Sequence, residues 1–208
     1  ASERVDRFLT NSNTVAARIE KYYHKDSVVI APPVDLSFFK PGEHAERSVA
    51  LKNKEAYLAV GRLIPYKRFE LVVDACKKMK RPLRIVGDGP ELRSLKKRAG
   101  KGLVFLGKIS DEELRKEYQE AKALLFPQLE DFGIVPLEAM ACGTPVLAYG
   151  KGGARETVKE NVSGIFFDEQ TAGSLAGAMK TFESKKWNSE KIAYSISHFS
   201  SARFRSEL

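Results

Sequence analysis

A chain of 208 residues can hold one sizeable domain with a real core, plus additions. Its 43% hydrophobic and 30% charged residues suit a soluble globular protein, with no apolar run near the roughly 20 residues of a spanning helix and no signal-peptide pattern at the start. The 35 Lys and Arg against 27 Asp and Glu leave a net +8, read either as solvated helix faces or as attraction to an anionic ligand or membrane surface; nucleic acid is disfavoured, since no basic stretch interleaves with aromatics.

The sequence opens at Ala1 without a methionine and enters patterned sequence almost at once, so a fragment of a longer protein is expected. Asp6–Thr10 reads as a short strand and Asn13–Tyr23 as a capped helix. Val28–Ile30 then runs into Ala31-Pro32-Pro33-Val34-Asp35, where two prolines forbid helix. Lys40–Lys54 is charged and poor in apolar residues, hence a loop or linker.

From Ala56 onward short apolar runs alternate with helical patterns. The predicted strands are Ala56–Val60, Leu83–Val86, Leu103–Leu106, Ala123–Phe126, Val146–Ala148 and Ile165–Phe167. Between and after them lie helices at Phe69–Lys80, Glu91–Ala99, Asp111–Ala121, Ile134–Ala141, Ala154–Glu160 and Thr171–Ser184. Continuous rather than alternating apolar runs mark strands buried on both faces. Regular β-α alternation marks a parallel sheet, and the expectation is an α/β, doubly wound, Rossmann-like domain. Ser189–Ser197 is predicted helical, with Phe199–Leu208 continuing it. Cys76 and Cys142 sit in apolar helical patterns without metal-ligand spacing, so buried free thiols in a reducing cytoplasm are expected.

In a doubly wound sheet, ligands lie outside the carboxyl ends of the strands, where strand order reverses. The loop after the first predicted strand of that sheet is Gly61-Arg62-Leu63-Ile64-Pro65-Tyr66-Lys67. Arg62 and Lys67, five residues apart, suit a clamp on a diphosphate: guanidinium offers a fork and ammonium a point charge. Gly87-Asp88-Gly89-Pro90 permits close backbone approach to a ligand, with a plain tight turn as the alternative. In Gly107-Lys108-Ile109-Ser110, backbone groups could pair with a nucleobase edge while Ile109 covers its face. Tyr149-Gly150-Lys151-Gly152-Gly153 reads equally as an anion nest or as a flexible turn.

The richest stretch is residues 126–148, FPQLEDFGIVPLEAMACGTPVLA. Glu130 and Glu138 flank a turn, Phe132-Gly133, that opens a helix. A carboxylate at a strand end, free helix N–H groups and a second carboxylate about two turns up that helix are expected to face one crevice. Such a crevice suits a polyhydroxylated anionic ligand such as a nucleotide sugar. Glu138 falls in an otherwise apolar helix start and therefore needs a partner. A glycosidase acid/base pair is the competing reading, but such carboxyls must flank one scissile bond across a cleft, not one βα turn.

Arg62…Lys67 together with Glu130-Asp131-Phe132-Gly133-Ile134-Val135-Pro136-Leu137-Glu138-Ala139-Met140-Ala141 resembles the family 4 glycosyltransferases, retaining enzymes with two Rossmann-like halves in the GT-B architecture. The likeness continues through Gly143-Thr144-Pro145-Val146, Gly152-Gly153…Glu156 and Asn161…Gly164. It implies that Arg62 and Lys67 hold the donor's diphosphate, that Glu138 binds ribose hydroxyls and that Glu130 touches the transferred sugar. Gly61 and Gly87 would border the donor, the backbone of Phe132, Gly133, Ile134 and Val135 would contact sugar and phosphate, and Ile109 would lie against the base. The donor would be GDP-mannose or a UDP-sugar, the acceptor a sugar or a lipid-linked molecule, as in polysaccharide biosynthesis. No metal or other cofactor is expected, and no Asp-x-Asp tripeptide of the metal-dependent architecture occurs. The resemblance divides the chain into a tail of the missing amino-terminal acceptor domain and crossover (1–36), a nucleotide-sugar-binding domain (37–187) and a return helix (188–208). The implied location is cytoplasmic, with peripheral contact at the inner membrane face. One departure stands out: Arg68 occupies a position where many members have glycine.

Overall fold

The computed structural model describes residues 4–42 and 55–208, so most of the expected 40–54 loop lies outside the described residues. The chain begins with strand β1 (Phe8–Thr10), helix α1 (Asn13–Tyr23) and strand β2 (Ser27–Val29). β1 and β2 pair in parallel as a separate two-stranded sheet with α1 as the crossover. The Ser12 hydroxyl accepts the Val15 N–H, satisfying one of the donors that a helix start leaves open.

The remaining strands form one six-stranded parallel sheet: β3 (Tyr57–Val60), β4 (Leu83–Val86), β5 (Leu103–Gly107), β6 (Leu124–Phe126), β7 (Val146–Tyr149) and β8 (Gly164–Phe167). Their order is β5-β4-β3-β6-β7-β8. The chain lays three strands outward from the middle, returns, and lays three more outward the other way. The reversal falls between β3 and β6, where Leu58 pairs with Leu124. This is the doubly wound arrangement the alternation predicted.

The helices between strands are α2 (Phe69–Met79), α3 (Leu92–Arg98), α4 (Asp111–Glu120), α5 (Ile134–Ala141), α6 (Ala154–Thr157) and α7 (Ala172–Glu183), followed by α8 (Ser189–Tyr194) and α9 (Ser201–Glu207). Alternate strand residues feed two separate cores. Tyr57, Ala59, Leu83 and Ile85 pack with Val72 and Val73 of α2 and Met179 and Phe182 of α7. Leu58, Val60, Leu124 and Phe126 pack on the other face with Tyr118 of α4, Leu137 and Met140 of α5 and Ile192 of α8. Burial on both faces is why these runs carry no period-2 signal. Cys76 and Cys142 are both buried, in no disulfide, and burial pushes the Cys76 thiol up to about 12.

Two predicted elements differ by more than two residues, and others by one or two at an end. The helix expected over 154–160 stops at Thr157, because Val158 is extended and the Ser163 hydroxyl accepts the Lys159 N–H, which closes a turn. The continuous carboxyl-terminal helix is instead two, since Ser200 is extended and its hydroxyl caps a fresh start by accepting the Arg203 N–H.

The amino-terminal edge of β3 is fixed by one carboxylate. Glu183 of α7 accepts a fork from Arg81 at 2.8 and 2.7 Å, the Tyr57 hydroxyl at 3.0 Å and the Lys122 ammonium at 3.1 Å. The Arg81 hydrogen bonds, opposed by burial and aided by Lys122 and Tyr57, pull its carboxyl down from 4.5 to about 2. A depressed folded-state value stabilises above the unfolded value and is lost as pH falls through the folded one. Glu183→Gln is therefore expected to cost on the order of 1–3 kcal/mol at pH 7. Chemical denaturation should show the gap to the unaltered chain closing between about pH 4.5 and pH 2.

Candidate functional site

At the carboxyl end of β3 the chain passes through Gly61 and Arg62 into a single 3-10 turn, Pro65–Lys67. The turn exits on Arg68 in the left-handed region, φ 56°, with its Nε donating to Glu70 at 2.6 Å. That backbone geometry costs a side-chain-bearing residue about 1–2 kcal/mol and explains why glycine fits the position. The loop is braced by the turn after β4. Leu63 N–H donates to Asp88 O at 2.9 Å and Glu91 N–H to Leu63 O at 3.1 Å. A Cβ added at Gly87 would lie 1.9 Å from Gly61 O. Gly87 thus has a structural reason to be glycine: the two backbones touch.

Lys67 reaches across the strand-order reversal to the loop after β6. Its Nζ lies 2.9 Å from Glu130 Oε1, with the side chains 15% and 21% exposed. An ammonium has three donors, so this pair leaves two for a ligand. Gly133, φ 91°, then turns the chain into α5, whose first turn has no side-chain cap. Its open N–H groups and the helix dipole favour an anion there. Pro136 falls in that first turn, where its missing N–H costs little.

A cleft of about 520 Å³ opens at this point, lined by Glu130, Asp131, Phe132, Gly133, Ile134 and Val135, with Leu129, Tyr66, Asn11 and Pro32. Lys67 joins it through Glu130. Arg62 projects from the same β3 loop, is exposed, and has no side-chain partner among the described residues. Glu138 and Ile109 do not line this part of the cleft. Glu138 is about one turn into α5, not two, because the helix begins only at Ile134. Its Oε2 accepts the Tyr118 hydroxyl at 2.8 Å, which is the partner its apolar setting requires. Burial raises its carboxyl above 4.5; the Tyr118 bond opposes this and Asp111 at the start of α4 adds to it. Ile109 is half-buried beside the same core, next to Asp111.

Residues outside the predicted set complete the frame. The Gly152-Gly153 turn after β7 is wedged under the Glu130 loop: Gly153 N–H donates to Glu130 O at 2.8 Å, and a Cβ on Gly153 would lie 2.3 Å from Phe132 Cα. The Gly153 N–H is therefore spent on the loop rather than offered to an anion. Phe199 packs edge-on against Phe132, with ring centroids 5.7 Å apart. Tyr118 carried a legible signal, since Leu114 and Tyr118 share one face of α4 at helical spacing. Its partner could be named only once α4 and α5 were packed.

Two variants test this description. Gly153→Ala is expected to destabilise the chain by about 1–3 kcal/mol, since backbone must move to admit the methyl group; thermal melting measures it. Ionised Glu138 opposes folding, because its folded-state value is raised, so the penalty grows as pH rises from 4.5 through that value. Glu138→Gln should melt higher than the unaltered chain at pH 7, with the difference vanishing near pH 4.

Comparison with known proteins agrees with this fold. The model of the glycosyl transferases group 1 matches residues 42–197, from before β3 to beyond α8. The D-inositol 3-phosphate glycosyltransferase of Geodermatophilus obscurus is 31% identical over 201 residues, covering 84% of this chain and 45% of that protein. Its counterpart in Mycobacterium avium is 30% identical over 200 residues, with 86% and 47% covered. The chain thus spans less than half the length of these curated relatives. Among solved structures, sucrose-phosphate synthase from Thermosynechococcus elongatus superimposes with a TM-score of 0.86 at 25% identity, over 99% of this chain and 57% of that one. HepE of Anabaena, solved with UDP, gives 0.83 at 21% identity over 100% and 63%. A Rossmann-like sheet of GT-B type, with its reversal point under the cleft, is thus accompanied by a family match across that whole sheet: the chain belongs to the group 1 glycosyltransferases.

Proposed function

We propose that the chain is the donor-binding half of a retaining, family 4-like hexosyltransferase, which takes a hexosyl unit from a nucleoside diphosphate sugar. The observation that carries this is the meeting of Lys67 with Glu130 beside the uncapped start of α5, with Arg62 on the same loop as Lys67. Cations, open N–H groups and carboxylates in one cleft match a diphosphate joined to a polyol.

In the transfer, the bond between the anomeric carbon and the diphosphate oxygen breaks. Negative charge grows on the leaving phosphate and positive charge on the sugar ring. Arg62, Lys67 and the α5 dipole bind that phosphate more tightly in the transition state than in the ground state, each donor contributing about 3 kcal/mol. Glu130 positions Lys67 and accepts sugar hydroxyls. Glu138 binds the ribose, its carboxylate oriented by Tyr118, and Ile109 covers the base. The side chains supply the positive charge, so the reading needs no metal.

GDP-mannose is the donor favoured by the EDFGIVPLEAMA stretch; a UDP-sugar is the second, since HepE has been solved with UDP-glucose. The acceptor, a sugar or lipid-linked molecule, binds the half of the relatives that this chain does not cover. In this reading residues 1–36 are the tail of that half, 37–187 the donor domain and 188–208 a return segment. The separate β1-β2 sheet and the bond from Arg203 Nη2 to Ala31 O support the division. The protein works in the cytoplasm, its positive charge drawing it to the inner membrane face. No helix among the described residues is long and apolar enough to cross a membrane.

A second reading, favoured by the chain's short span against its relatives, is that it binds nucleotide sugar and transfers only with a separate acceptor half. Calorimetry should show GDP or UDP binding that Arg62→Ala and Glu138→Gln each weaken at least tenfold (about 1.4 kcal/mol) and that EDTA leaves unchanged. No binding of either nucleotide at millimolar concentration would sink both readings. Transfer to an acceptor by the chain alone would eliminate the second, and with it the placement of the acceptor outside this chain.

A further inference from the structure

The β1-α1-β2 unit is not joined to the main sheet, yet it is held against the cleft at two points of one helix. Glu156 of α6 takes the amino terminus of α1. Its Oε2 accepts from Asn13 N and Nδ2, both at 2.8 Å, and its Oε1 from Thr14 N at 2.9 Å and Oγ1 at 2.8 Å. The first turn of α1 contains no acidic residue, so Glu156 supplies the negative charge its dipole favours from outside. Burial works to raise the Glu156 carboxyl, and the bonds from Asn13 and Thr14 outweigh it and lower the value. About one and a half turns further along α1, Arg18 Nη2 is ion-paired with Asp131 Oδ1.

Both attachments end on the donor loops. Asp131 stands between Glu130 and Phe132 and lines the cleft. Glu156 follows the Gly152-Gly153 wedge, whose Gly153 N–H holds Glu130 O. Asn11, in the turn between β1 and α1, and Pro32, just after β2, line the same cleft. Sliding or rolling α1 would stretch or break its contacts with Asp131 and with Glu156, which follows the Gly152-Gly153 turn.

We propose that α1 is part of the frame of the donor site, with Arg18 and Glu156 as positioning residues that set the Glu130–Phe132 loop through Asp131 and the Gly152-Gly153 turn. The inference rests on the reading of the cleft as a nucleoside diphosphate site. Its consequence is a reciprocal coupling: whatever seats against β1-α1-β2 changes donor affinity, and donor binding changes that seating by the same factor.

The test is calorimetric titration of the 208-residue chain with UDP and GDP. Arg18→Glu should weaken binding about fivefold, the upper end for an exposed pair. Its melting temperature should stay within about 2 °C of the unaltered chain. The charge-swapped double variant, Arg18→Asp with Asp131→Arg, should bind better than either single variant, and about 1 M salt should erase the Arg18→Glu effect. Glu156→Gln should weaken binding in the same direction. Unchanged affinity in Arg18→Glu and Glu156→Gln, or a double variant no better than its singles, overturns the inference while leaving the donor reading standing. No binding by the unaltered chain overturns the donor reading and this inference with it.

Discussion

Two loops leave the same ends of the neighbouring strands β3 and β6 and diverge, because the chain winds away from the middle of the sheet in opposite directions. Every group in the candidate site hangs from that divergence. The β3 loop brings Lys67, the β6 loop brings Glu130, and their 2.9 Å ion pair closes the floor of the gap. Pairing also makes the arrangement tolerable: an ammonium and a carboxylate this sheltered would each be costly alone.

Around that floor the loops brace one another through backbone rather than side chains. The turn after β4 supports the β3 loop where Gly87 touches Gly61, and the turn after β7 supports the β6 loop where Gly153 touches Phe132. Loops built this way hold their shape without filling the cleft with side chains, which leaves room for a ligand. Glu138 shows the opposite economy. It is desolvated, with the Tyr118 hydroxyl as its bonding partner, and its ionised form costs stability that the backbone braces do not.

Much of this was legible in the sequence, for physical reasons. Strands buried on both faces leave unbroken apolar runs, so β4 and α5 appear with the bounds predicted and β3 differs by one residue. Loop position and residue type made Lys67 and Glu130 candidates, the resemblance added roles, and the sheet reversal brought the two together. What stayed hidden depends on contacts across the sequence. Nothing local marks Tyr118 as the partner of Glu138, or Arg18 as the partner of Asp131. Gly152-Gly153 was visible as a flexible or anion-binding turn, but its actual constraint, the backbone of residues 130–132, lies about twenty residues upstream. The errors at α6 and between α8 and α9 arose where a serine hydroxyl competed with the helix for backbone N–H groups.

The Glu183 anchor at the amino-terminal end of β3, away from the cleft, bears on how the chain assembles. β3 is the first strand of the sheet to be synthesised, yet its second neighbour, Leu124, comes 66 residues after Leu58, and the carboxylate bonding Tyr57 comes 126 residues later. The inner flank of β3 therefore stays open until β6 follows β4 and β5, and its Glu183 anchor arrives later still. On the ribosome, β3, β4 and β5 must wait as a one-sided layer with an open, apolar edge until β6 emerges, a high-contact-order route that is slow and exposed to mispairing.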